Sequence, residues 1–133
     1  MQSQSLIRAV VDAAALRHNL HQVRSAAPDS RVMAVIKANA YGHGLVPAAK
    51  ALAEADGFAV ARLGEGLALR AAGLANRILL LEGVFSAEQL AAAAQARFEL
   101  MVHSVEQLEL LDALTGDARV TAWIKVDSGM NRL

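Results

Sequence analysis

The sequence has no cysteine, no net charge and a single tyrosine among its 133 residues. Without cysteine there are no disulfides and no thiolate-bound metals, which fits a reducing compartment, with the cytoplasm as the default. Thirteen basic residues against thirteen acidic ones leave no electrostatic signature of a nucleic acid or an anionic membrane as partner. No stretch reaches the roughly 18 apolar residues that suggest a transmembrane helix. The start, Met1-Gln2-Ser3-Gln4-Ser5, lacks the basic and apolar regions of a secretory signal. What is abundant is apolar material, 55% of the chain, enough for the core of one soluble domain.

That material is arranged as a strand followed by a helix, again and again. Strands are expected over residues 32–37, 57–61, 78–82, 98–102 and 120–126, about twenty to twenty-five residues apart with a helix in each gap, the pattern of a parallel sheet. Uninterrupted runs such as Ile78-Leu79-Leu80-Leu81 suit strands covered on both faces. Ser86 with Gln89, and Ser104 with Gln107, fit the Ser-x-x-Gln capping box at a helix start. Asp12 can cap an earlier helix with Leu16, Leu20 and Val23 on one face, ending near Pro28, and residues 8–11 read as a short strand ahead of it. A closed eight-stranded (β/α)8 barrel takes about 250 residues. The expected fold is therefore α/β, a partial barrel of about five βα units, and residues 1–133 are expected to be a fragment that stops in a loop after its fifth strand.

Two lysines stand where such folds place chemistry, at the C-terminal ends of strands. Lys37 follows Val32-Met33-Ala34-Val35-Ile36 and opens the run Ala38-Asn39-Ala40-Tyr41-Gly42-His43-Gly44. It can simply extend into water. Alternatively, in apolar surroundings that disfavour its charged form, it can attack a carbonyl as a Schiff-base nucleophile. Gly42 and Gly44 would then supply a flexible turn, and Tyr41 a hydroxyl for a phosphate. Lys125 ends the run Trp123-Ile124 and precedes Val126-Asp127-Ser128-Gly129-Met130-Asn131-Arg132. In an eight-stranded barrel, strands one and five face each other across the mouth, so Lys37, Lys125 and Arg132 would surround one pocket. That much positive charge calls for an anion, either a phosphorylated ligand or a modified lysine.

Other residues carry less. His18 and His21 on the first helix lack ligand partners and read as solvated, so no metal site is expected. His103 reads as a loop residue, His43 as part of the lysine loop and Trp123 as core. Gly64-Glu65-Gly66 could suggest a phosphate loop, but one Gly-x-Gly is a weak signal.

Residues 34–44 closely resemble the pyridoxal-phosphate attachment signature of bacterial alanine racemases, and Lys125 to Leu133 resembles that family's second barrel motif. Ala55-Asp56-Gly57-Phe58-Ala59-Val60-Ala61-Arg62 and Ile78-Leu79-Leu80-Leu81-Glu82-Gly83 look like the family too, in the same order. The resemblance implies a pyridoxal-phosphate enzyme interconverting L- and D-alanine for bacterial cell-wall metabolism. Lys37 would hold the cofactor and exchange the substrate α-proton on one face. Tyr41 would bind the cofactor phosphate. Arg132 would contact the cofactor's phenolic oxygen and position the substrate carboxylate, with Met130 nearby. Lys125 would be the residue carbamylated in many members, the alternative being a plain lysine paired with Asp127. The family's second base is a tyrosine of a later β domain, supplied by the partner subunit of a homodimer. That domain and the remaining barrel strands are not in these residues, and the strand at 8–11 would pair with it. Here Gly64 replaces an acidic residue common in similar racemases, so it is expected to loosen the start of the helix that follows. Two other readings stay open: a barrel decarboxylase acting on amino acids, and a non-catalytic half-barrel that self-associates or pairs with a complementary fragment through its sheet edges.

Overall fold

The computed structural model describes Ile7, residues 9–116 and residues 118–133. Helix α1 (Ala13–Ala26) begins where expected, with Asp12 Oδ1 accepting the N–H groups of Ala14 and Ala15 at 2.8 and 3.3 Å. It ends two residues before Pro28. Its inner face differs from expectation at one position. Leu20 is buried and Leu16 half-buried, but Val23 is exposed. Arg24 turns toward the protein instead, donating to the Glu54 carbonyl and pairing with Asp56 at 3.2 Å. The early strand is a second departure. Arg8 lies outside the described residues, and residues 9–11 are irregular rather than extended in a sheet. Val10 is 71% exposed, so this segment buries too little apolar surface to hold a strand in place.

From there the chain alternates as anticipated: β1 (Met33–Val35), the single turn α2 (Lys37–Tyr41), α3 (Leu45–Ala51), β2 (Gly57–Val60), α4 (Leu63–Ala71), β3 (Arg77–Leu80), α5 (Ala87–Gln95), β4 (Glu99–Val102), α6 (Val105–Asp112) and β5 (Thr121–Ile124). Each observed strand lies inside its expected range except β3, which starts one residue earlier, at Arg77. All neighbours are parallel and lie in chain order, β1-β2-β3-β4-β5. This is five consecutive strands of a (β/α)8 barrel wall.

Alternate residues along each strand face the helices, and these make the core. Phe58, Val60, Ile78, Leu80 and Leu100 pack with Leu69, Leu90 and Ala93 of the helices, all buried. Burying each such side chain contributes about 1.5–3 kcal/mol relative to exposure. Gly66 belongs to this contact: a Cβ there would meet the Phe98 ring at 2.9 Å, so the glycine lets α4 lie close against the core. The helices after β3 and β4 start as the sequence indicates, with one adjustment. Ser86 and Ser104 Oγ accept the N–H of Gln89 and Gln107, but each glutamine side chain accepts from the residue before the serine, Phe85 or His103.

The opposite face of the sheet carries Ala59, Leu79, Glu99, Met101 and Trp123, in register across the strands. Strands β1 and β5 are its edges, and all four residues of β5 are exposed. Among the described residues, no helix is long and apolar enough to cross a membrane.

Candidate functional site

Strand β1 delivers buried Ile36 and then half-buried Lys37 to the C-terminal end of the sheet. The next four residues are unusual. Ala38, Asn39, Ala40 and Tyr41 have φ of 52, 55, 53 and 54°, so α2 is one turn of left-handed helix made of non-glycine residues. Left-handed backbone costs an L-residue about 1–2 kcal/mol. Gly42 and Gly44, at φ 90 and 92°, continue the reversal, but it begins before them.

Specific bonds offset that cost. Ala40 N–H donates to the Ile36 carbonyl at 2.9 Å and His43 N–H to the Ala40 carbonyl at 3.0 Å. His43 Nδ1 lies 2.8 Å from the same carbonyl, which gives this histidine a loop-capping place. Asn39 Oδ1 accepts the Leu45 N–H at 2.8 Å and so ties the turn to α3. Glu65 Oε1 accepts the Ala38 N–H at 2.7 Å, while its Oε2 accepts the N–H groups of Ala61 and Arg62 at 2.8 and 3.2 Å. Gly64-Glu65-Gly66 is accordingly the first turn of α4, not a phosphate loop. Gly64 has open space around it, and the helix start is held from Glu65.

Across the sheet, the Lys125 N–H donates to the Val102 carbonyl at 2.9 Å, extending the β4–β5 ladder by one step. The loop beyond it folds back around Asp127. The N–H groups of Asn131 and Gly129 hold the Asp127 carboxyl below its ordinary value, burial opposes this, and Lys125 contributes least. Asp127 therefore shapes the loop more than it neutralises Lys125. As a result, Lys37, Lys125, Met130 and Arg132 line one cavity of about 450 Å³, with Leu81 and Met101 supplying apolar wall. Glu82 also lines it, and its carboxylate lies 3.6 Å from Arg62 Nε. Tyr41 stands outside this lining and is 61% exposed.

The remaining histidines do other work. His21 on α1 lies 3.7 Å from Glu54 on an exposed surface, and His103 Nε2 lies 3.3 Å from the Glu82 carbonyl. Among the described residues, no group of three or more histidine, aspartate or glutamate side chains is placed to hold a metal.

Sequence reasoning missed Glu65, Asn39 and Glu99. A signal existed for Glu65, which stands three residues after Arg62 at the position where a helix-start carboxylate reaches back. Arginine carries no acceptor to complete the reciprocal box, and this hid the pattern. Glu99 had no comparable signal, because its partner Arg77 is distant in sequence and the two meet only across strands.

Known proteins resemble this chain in both sequence and fold. Residues 11–133 match the family model "Alanine racemase, N-terminal domain". The chain is 54% identical over 125 residues to an alanine racemase of Yersinia pestis bv. Antiqua, covering 94% of this chain and 35% of that protein. It is 50% identical over 124 residues to the biosynthetic alanine racemase of Escherichia coli K12, covering 93% of this chain and 34% of that one. Among solved structures, the biosynthetic alanine racemase of Pseudomonas aeruginosa superposes with a TM-score of 0.86 at 46% identity, over 92% of this chain and 34% of that one. An alanine racemase of Bacillus anthracis with bound L-Ala-P gives a TM-score of 0.83 at 36% identity, over 92% and 33% of the two chains. The chain thus spans about a third of the length of the curated relatives it matches.

Proposed function

This chain belongs to the alanine racemase N-terminal domain family, and from that premise we propose that it is the cofactor-binding portion of a cytoplasmic, pyridoxal-phosphate-dependent alanine racemase. The observation that carries the proposal is the convergence of Lys37, Lys125, Met130 and Arg132 on one cavity.

The residues fit such a cofactor chemically. A cavity of about 450 Å³ lies within the usual range for small-molecule sites. Its three cationic side chains suit an anionic ligand, and a primary amine at the end of a strand suits an aldehyde. When bound, pyridoxal phosphate supplies an electron sink for negative charge at the substrate α-carbon.

The protein's own part is binding, orientation and proton movement. Lys37 Nζ would hold the cofactor, and its free amine would take and return the α-proton on its side of the substrate. Arg132 orients the substrate carboxylate with a planar fork of donors, and Met130 limits the space beside it. Lys125 sets the charge beside Arg132. Left as an ammonium it repels the guanidinium, whereas a carbamate, formed when its neutral amine adds carbon dioxide and releases a proton, would attract and orient it. Tyr41 reaches the phosphate only if its exposed side chain swings toward the cavity, so its assignment rests on the family signature alone. The opposite-face base would be a tyrosine of a later domain, supplied by the partner subunit of a homodimer. The substrate on this reading is alanine.

Borohydride reduction with pyridoxal phosphate, followed by peptide mapping, tests the assignment between the two cavity lysines. A pyridoxyl group on Lys37 is expected. Labelling at Lys125, or spread evenly over surface lysines such as Lys50, would count against it.

A further inference from the structure

We infer that Glu65 is the positioning residue that sets the direction of Lys37, an inference that rests on the proposed role of that lysine. The β1–β2 ladder continues through Ile36, whose N–H donates to the Ala59 carbonyl at 2.9 Å. Two residues further on, a regular parallel ladder would link Ala38 and Ala61. Here the Glu65 carboxylate stands between them. One oxygen accepts the Ala38 N–H at 2.7 Å and the other accepts the N–H groups of Ala61 and Arg62.

Three consequences follow from that insertion. A carboxylate bridge takes the place of the next rung of the ladder where the cavity opens, and Lys37 and Ala61 both line that cavity. Ala38, the residue directly after Lys37, is fixed in the left-handed conformation at φ 52°. Helix α4 is tied through its first turn to the lysine loop, so the core that anchors Leu69 also anchors the loop. Bonds from N–H groups to a carboxylate are among the stronger hydrogen bonds.

The two-oxygen requirement separates this role from simple helix capping. In Glu65→Gln the single amide oxygen can still cap α4 through Ala61 and Arg62, but the amide nitrogen is a donor and cannot accept from Ala38. Ser86→Ala removes the side-chain cap of a different helix and serves as the structural control.

The experiment measures three quantities on the 133-residue chain: amide hydrogen exchange at Ala38, the rate of pyridoxal-phosphate attachment to Lys37, and thermal stability. In Glu65→Gln, Ala38 should exchange about tenfold faster and attachment should slow about tenfold, as expected for loss of one bond to a charged acceptor. Its melting temperature should stay near that of Ser86→Ala, which should leave Ala38 exchange and attachment unchanged. Unaltered Ala38 exchange in Glu65→Gln, or equal slowing of attachment in Ser86→Ala, would overturn the inference. Should Glu65→Gln fail to fold, an unprotected Ala38 amide in the wild-type chain would overturn it instead. If the wild type binds no pyridoxal phosphate, the functional proposal fails, and Ala38 exchange still decides whether Glu65 holds the turn.

Discussion

Arg77 grips Glu99 with two parallel bonds, Nε to Oε1 at 2.5 Å and Nη2 to Oε2 at 2.9 Å, on the sheet face opposite the helices. Trp123 Nε1 adds a third bond to Oε2 at 2.7 Å, so one carboxylate joins β3, β4 and β5. Burial alone would raise the Glu99 carboxyl, but Arg77 and Trp123 outweigh it and hold the group below its ordinary value of 4.5. A carboxyl depressed in the folded state contributes stability above its unfolded value and loses it as pH falls from there through the folded value. The urea-unfolding midpoints of the wild type and Glu99→Gln should therefore differ most near neutrality and converge as the pH falls below the ordinary value of 4.5 and through the lower folded value. A difference independent of pH would contradict this account.

Two glycines with similar backbone angles should respond differently to alanine. Gly73, at φ 83°, has open space around a would-be Cβ, so Gly73→Ala should cost only the left-handed strain of about 1–2 kcal/mol. Gly83, at φ 71°, would drive its Cβ into the Met101 carbonyl oxygen and to 2.6 Å from Gln107 Nε2. Gln107 is buried and donates to the Glu82 carbonyl at 2.9 Å, so it has little freedom to yield. Strain and overlap together should make Gly83→Ala cost about 2–5 kcal/mol. Chemical denaturation of the two variants checks the order.

Arg132 is exposed in a loop, so Arg132→Ala should change stability by no more than about 0.5 kcal/mol. Its loss should nevertheless weaken pyridoxal-phosphate binding about tenfold, because a charged donor leaves the cavity. Equilibrium titration monitored by absorbance separates the two effects, and unchanged affinity would remove Arg132 from the site.

Racemisation needs a proton donor and acceptor on both faces of the α-carbon. Tyr41 is the only tyrosine in the sequence and does not line the lysine cavity. The chain alone, given pyridoxal phosphate, should change the optical rotation of L-alanine no faster than a Lys37→Ala control. Turnover well above that control would show that these residues already hold both bases.

The strand positions were legible because short apolar runs between capped helices leave little choice of register, and each β-strand fell within a residue or two of its expected place. The lysine pair was legible for the same reason: strand ends fix where Lys37 and Lys125 emerge. The left-handed turn was not. Within Ala38-Asn39-Ala40-Tyr41 only Asn39 tolerates that backbone readily, and the turn is held by the bond from Ala38 to the distant Glu65 and by the one from Leu45 to Asn39. Val23 was misjudged because periodicity marks a helix face without saying how far the neighbouring elements extend to cover it. The strand expected at residues 8–11 required a partner that the local pattern cannot supply.

The central claim is that Lys37 binds pyridoxal phosphate in the cavity it shares with Lys125 and Arg132. Absorbance spectra of the chain with added pyridoxal phosphate, recorded beside Lys37→Ala and Lys125→Ala, test it most directly. The account predicts a visible band that is absent in Lys37→Ala and retained in Lys125→Ala. Identical spectra for the wild type and Lys37→Ala would contradict it.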